Sequence, residues 1–163
     1  GGGNARSGTL PWATLGLSKQ DALDGNGRYF SYVVSNTARN VCFSVANDYD
    51  AADTEFTGSL IEATDLELIT TAQSAGEGRY VPFAIISHGP NGYGTLSASG
   101  TATQAPPAAH TFEDNNDNDN PTVIYTGPRD EDGTNQFDDF VIAPTRDEMQ
   151  TACETLTPGE FRR

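Results

Sequence analysis

The sequence predicts an α+β fold: an antiparallel β-sheet head with long loops and one short helix near the C-terminus. Three observations carry this. Apolar residues gather into short runs, several of them alternating, closed by Gly, Asn, Asp or Pro, which is the pattern of strands and turns. Helix-start chemistry is persuasive at one place only, close to the C-terminus. The length of 163 residues with 36% hydrophobic content fits one core, while 17 Gly and 9 Pro require much loop. A single domain over 1–163 follows, with residues 1–8 as a flexible start.

Taken in chain order, the first strand is Tyr29 to Val34. Its aromatic and β-branched residues suit a pleated surface, and it follows the turn Asp24-Gly25-Asn26-Gly27. Val41 to Val45 alternates and is placed to pair back on it. Leu66 to Thr71 is a third strand, and Val81 to Ser87, the most apolar run, reads as buried. Pro82 belongs at the beginning of that strand, where a missing N–H costs least. Thr122 to Tyr125 and Phe137 to Ile142 complete the set. The helix should run from about Arg146 to Thr155. Thr145 and Glu148 form a capping box at its start, and Met149, Ala152, Cys153 and Leu156 recur at the spacing of a narrow apolar stripe. Trp12 reads as a core anchor.

Charge excludes one class of function. Nine Lys and Arg stand against 23 Asp and Glu, for a formal net charge of -14. A surface this negative repels phosphate backbones and anionic lipid, and no basic patch offsets it, so neither nucleic-acid binding nor polybasic membrane docking is expected. No stretch reaches the roughly 18 apolar residues of a spanning helix.

Cys42 and Cys153 lie far apart in sequence and form no CxxC pair, which removes zinc-ribbon and thioredoxin readings. A disulfide between them would close a long loop and stabilise by roughly 3–5 kcal/mol in an oxidising compartment. Two buried free thiols are the alternative. The acidic, Lys-poor, Asn- and Gly-rich composition suits an exported protein and favours the disulfide.

The strongest local bias is Glu113 to Asn120, every residue of which is acidic or Asn. Calcium is the cation such a loop would take, since hard cations want carboxylate, amide and carbonyl oxygens. Counted from Asp114, an EF-hand fails, because Asp119 stands where glycine is required and Tyr125 where the bidentate glutamate belongs. An irregular oxygen site would draw on Asp114, Asn116, Asp117 and Asp119, with Asp130 and Asp132 beyond. The plainer reading is a solvated acidic turn.

For hydrolysis the candidates are His88, His110, Ser87 and many acids, without a nucleophile elbow, a zincin motif or a P-loop. Ser87 and His88 are neighbours, and neighbours on extended chain point to opposite faces, so they cannot pair as nucleophile and base. His88 reads as a turn residue, and Asp138 and Asp139 should diverge for the same reason.

Four blocks in order resemble a known family. Gly8 to Leu17 with Asp21 to Tyr32, reading GTLPWATLGL and DALDGNGRYFSY, look like a stretch of bacterial type IV pilins and pseudopilins. Phe83 to Gly92 (FAIISHGPNG) is similar to their strand and turn, Glu113 to Asp119 to their acidic loop, and Phe137 to Val141 (FDDFV) to a late strand followed by a short helix. Leu23-Asp24 replaces the usual tryptophan-glycine pair, and the late strand lacks its tryptophan. The resemblance implies the globular head of a type IV pilin, whose long N-terminal helix is absent from this sequence, either removed or encoded as a separate chain. It implies a non-catalytic structural subunit of an extracellular or periplasmic bacterial filament, a pilus or secretion pseudopilus, whose partners are other pilin subunits or that separate helix chain. Membrane contact would come only through that helix, and a sheet that normally packs on it should show an uncovered apolar face. The competing expectation is an exported calcium- or glycan-binding β-domain.

Overall fold

The computed structural model describes residues 6–35, 66–117, 122–128 and 136–145, together with Glu148 and Thr151. Seven strands in these residues form two sheets. The larger contains β1 (Arg6–Thr9), β2 (Ser31–Val34), β5 (Phe83–Ser87) and β7 (Phe140–Ile142) in the order β1-β2-β5-β7. Every pairing in it is antiparallel. The smaller contains β3 (Glu67–Thr70), β4 (Arg79–Tyr80) and β6 (Val123–Thr126) in the order β4-β3-β6.

The architecture is compatible with the α+β class, and the larger sheet is antiparallel as expected; the expectation of a single sheet is corrected by the smaller, mixed one, in which β3 and β6 pair in parallel. A parallel pair needs a long crossover, and the chain between them supplies it with β4, β5 and helix α1 (Thr111–Asn116). Pro82 lies between β4 and β5, where the chain leaves the smaller sheet for the larger, and its carbonyl accepts from Ser35 N–H at 2.9 Å. Val33 and Ile86 from the larger sheet meet Leu68 and Ile124 from the smaller, with Leu66 and Val81 beside them, in one core cluster. Completely burying one such side chain stabilises by about 1.5–3 kcal/mol relative to leaving it exposed.

The chain start corrects another expectation. Arg6–Thr9 is not loose but forms β1, paired with Ser31–Val34. Nothing apolar announces this strand; the neighbouring β2 edge recruits its backbone donors and acceptors. The turn before β2 is built as the Asp-Gly-Asn-Gly sequence suggests. Asp24 Oδ1 accepts from Asn26 N–H at 2.8 Å and Arg28 N–H at 3.0 Å. Leu10 takes the buried position, while Trp12 is only half-buried and so falls short of the core anchor expected of it.

Helix α1 runs into the first half of the acidic tract, Glu113 to Asn116, where loop was expected. Glu113 and Asp114 in its first turn complement the positive end of the helix, and Phe112 packs on Tyr125 of β6 with ring centroids 4.6 Å apart. The late strand is shorter than the apolar pattern suggests, beginning at Phe140 rather than Phe137. The capping box forms as expected: Thr145 N–H donates to Glu148 Oε2 at 2.7 Å and Glu148 N–H donates to Thr145 Oγ1 at 3.2 Å. Glu148 and Thr151 are helical. The proposed strand Val41 to Val45, both cysteines and the apolar stripe of the late helix lie outside the described residues.

Candidate functional site

Alternation along the larger sheet sorts its residues into two faces. Register places Thr9, Ser31, Val33, Ala84, Ile86 and Val141 on the inner face. Tyr32, Val34, Phe83, Ile85, Phe140 and Ile142 share the outer one. On the outer face the first four are half-buried, whereas Phe140 and Ile142 are 66% and 58% exposed. Tyr32 and Phe83 stack at a tilt with centroids 5.8 Å apart, and burial pushes the Tyr32 phenol up from its ordinary range. The outer face is therefore an apolar surface in contact with water.

Beneath the sheet lies a cluster of opposite character. His88 follows β5 directly and is 1% exposed; Asn116, Glu113, Asp138 and Asp139 are buried with it. Oxygens of Glu113, Asp138 and Asp139 lie within 4.8 Å of one another. Asp138 and Asp139 converge, against expectation; both lie ahead of β7, which begins at Phe140, so the strand alternation does not govern them. Three such oxygens are of the kind hard cations take. Here most of their oxygens are engaged by the protein's own donors, Asp138 Oδ1 being buried without a hydrogen bond. Glu113 Oε1 accepts from Asn91 Nδ2 at 2.7 Å, Asp139 Oδ2 from Asn116 Nδ2 at 2.8 Å and Asp138 Oδ2 from Asn91 N–H at 3.2 Å. His110 Nδ1 stands 3.1 Å from Glu113 Oε2, and His88 Nδ1 is 3.6 Å from Asp139 Oδ1. The cluster thus fastens the 88–92 loop, helix α1 and the approach to β7 to one another. Gly89 and Gly92, with φ of 54° and 63°, let the loop reach it. A Cβ at Gly89 would collide with Asp138, and one at Gly92 with the Arg28 guanidinium.

The calcium residues expected from sequence are placed differently from one another. Asp114 is exposed on α1, whereas Asn116 points inward, its amide donating to Tyr125 O at 3.0 Å and accepting from Tyr125 N–H at 2.8 Å. Asp117 follows the helix and lies against Gly94. Asp119, Asp130 and Asp132 fall outside the described residues, as does the Cys42 and Cys153 pair.

Ser87 and His88 do point apart: Ser87 Oγ donates to Asp24 Oδ2 at 2.9 Å. His88 instead reaches Ser31 of β2, with Nε2 and Oγ 2.7 Å apart. Ser31 went unnoticed in the sequence because no local motif marks it; only the β2–β5 pairing brings it to His88. Ser31 also lines an open cavity of about 230 Å³ shared with Thr9, Thr95, Asn116 and Asp117. No helix among the described residues is long and apolar enough to cross a membrane. In comparison with known proteins, the chain matches no family model, no curated protein and no solved structure.

Proposed function

We propose that this chain is the globular part of a type IV pilin-like subunit, a structural building block of an extracellular or periplasmic bacterial filament whose assembly needs no catalytic step. The helix that assembles it packs across the outer face of the larger sheet, and is supplied by the same gene product or by a separate chain. One observation carries the reading: Tyr32, Val34, Phe83, Ile85, Phe140 and Ile142 share one face of the sheet, interrupted by Ser87 opposite Phe140 and bordered by Arg6, and this apolar patch is only partly covered. Apolar patches of this kind mark interaction surfaces, and a sheet face is the shape on which an amphipathic helix buries its stripe. The ordered blocks from Gly8 to Val141 that resemble pilins agree with it. An acidic exterior keeps unassembled subunits soluble and leaves apolar packing to hold them in the filament.

The test is filament incorporation in the source cell, with the full gene product carrying Phe140→Glu and Ile142→Glu. Both positions are exposed, so the isolated chain should melt as the parent does. The reading predicts loss of the double variant from sheared filaments. Normal incorporation, or absence of the parent chain from any filament, overturns it.

A further inference from the structure

We propose that Ser31 is a nucleophile activated by His88, with Asp139 as the positioning residue, and that the adjoining cavity admits a small uncharged ester whose acyl group Ser31 accepts. This inference stands apart from the filament reading and uses the inner face of the sheet, not the outer one.

The geometry has three links. Ser31 Oγ and His88 Nε2 are 2.7 Å apart, within reach for proton transfer. On the far side of the ring, His88 Nδ1 faces Asp139 Oδ1 at 3.6 Å, too long for a hydrogen bond as it stands; when this approach closes, a proton on Nδ1 leaves Nε2 to accept the Ser31 proton. Asp139 is itself held by Asn116, whose Nδ2 donates to its other oxygen at 2.8 Å. A nucleophile touching a base that is oriented by a third group is the arrangement that activates a serine, and its bonds tighten when substrate arrives. The fourth element is access. Ser31 lines the cavity, whereas His88 and Asp139 are 1% and 4% exposed and shielded from water.

The cavity decides the ligand class. About 230 Å³ lies below the roughly 300–1,000 Å³ of sites for drug-sized ligands, so the cavity suits a short acyl chain. Asp117 on its wall repels anions, which disfavours phosphate esters and esters carrying a free carboxylate. In the step itself, Ser31 Oγ bonds to the ester carbonyl carbon as its proton passes to His88 Nε2. The carbon–oxygen bond to the leaving group then breaks, and His88 returns the proton to the departing oxygen. Gly94 and Thr95, the backbone N–H groups on the cavity wall beside Ser31, already donate to Gln104 O and Thr103 Oγ1 at 3.1 and 3.0 Å. Neither is free for an oxyanion, so acylation of Ser31 should be readily detected and turnover slow.

The test is labelling of the intact chain with p-nitrophenyl acetate and with a small fluorophosphonate, located by peptide mass spectrometry. General-base activation is typically worth about 10²–10⁴-fold, so Ser31 in the folded chain should label at least about 10²-fold faster than in the chain unfolded by guanidinium. Ser31→Ala should remove the label while Ser87→Ala leaves it. Asp139→Asn should slow labelling and change the His88 tautomer signature in nitrogen NMR, which a merely structural Asp139 would leave alone. Equal labelling of folded and unfolded chain, or label spread over Ser7, Ser31 and Ser87 alike, overturns the proposal.

Discussion

The two faces of the larger sheet reverse the usual distribution of polarity. Inward, next to the aliphatic core of Val33, Ile86 and their partners, sit three carboxylates, two asparagines and a histidine, each making at least one hydrogen bond, with Asp138 Oδ1 the one buried side-chain oxygen among the described residues that accepts none. Outward, Phe140 and Ile142 meet water at 66% and 58% exposure, flanked by half-buried Tyr32, Phe83 and Ile85. Burial of polar groups is tolerated only where each is hydrogen-bonded, and it then fixes loops in one arrangement. Exposure of large apolar groups has no such internal compensation, and its natural resolution is a partner. The inner face therefore explains how the loops are held, and the outer face is the surface the proposed filament contact would use.

The sharpest way to break the comparison uses two phenylalanines three positions apart. Phe137 is 1% exposed and meets Phe112 edge-on at 6.4 Å, so Phe137→Ala should cost about 3–5 kcal/mol in denaturant unfolding. Phe140→Ala should stay within about 0.5 kcal/mol, because the isolated head leaves that ring in water. Equal losses would mean that Phe140 is packed.

A smaller effect is expected in the polar cluster. Asn116→Ala removes the partner of Tyr125 N–H, Tyr125 O and Asp139 Oδ2 together. Leaving buried groups unpaired costs about 1–3 kcal/mol, and the loss should appear in Tm and as faster amide exchange at Tyr125. A neutral result would make the cluster incidental to stability.

Smaller still is an alkaline effect on the outer face. Burial holds the Tyr32 phenol above its ordinary range. Since the folded value exceeds the unfolded one, the protonated phenol's contribution is present at neutral pH and is lost as pH rises through the folded value. Tyr32→Phe should remove that alkaline loss. Covering the face with a helix should raise the phenol further, which spectroscopic titration of tyrosinate would register.

Calcium should do least. One oxygen each of Glu113, Asp138 and Asp139 accepts from Asn91 or Asn116, and His88 and His110 face two of the carboxylates, so a cation would have to displace these contacts to use more than Asp138 Oδ1. Millimolar calcium should thus leave Tm where chelator leaves it. A tight site would instead add about 2.7 kcal/mol at 100 times its Kd.

These contrasts also show what one-dimensional pattern can reveal. Val81 to Ser87 and Leu66 to Thr71 announced their strands because β-branched and apolar residues are concentrated there, and the Thr145–Glu148 box announced its own hydrogen bonds. Local chemistry decides such elements. Helix α1 was hidden because Asn and Asp favour turns when nothing else acts, whereas here Phe112, Glu113 and Asn116 are held by tertiary partners. β1 was hidden because Arg6-Ser7-Gly8-Thr9 has no apolar rhythm and exists as a strand through β2. The site was least legible. Asp138 and Asp139 meet because β7 starts one residue later than Asp139, and Ser31 meets His88 across 57 positions of chain.

The central claim, that the outer sheet face is a packing surface, is tested most directly by hydroxyl-radical footprinting of Tyr32, Phe83 and Phe140. The isolated chain is compared with the same chain assembled in filaments. The account predicts ready oxidation of Phe140 in the isolated chain and strong protection of all three rings on assembly. Equal oxidation of Phe140 in both states would contradict it.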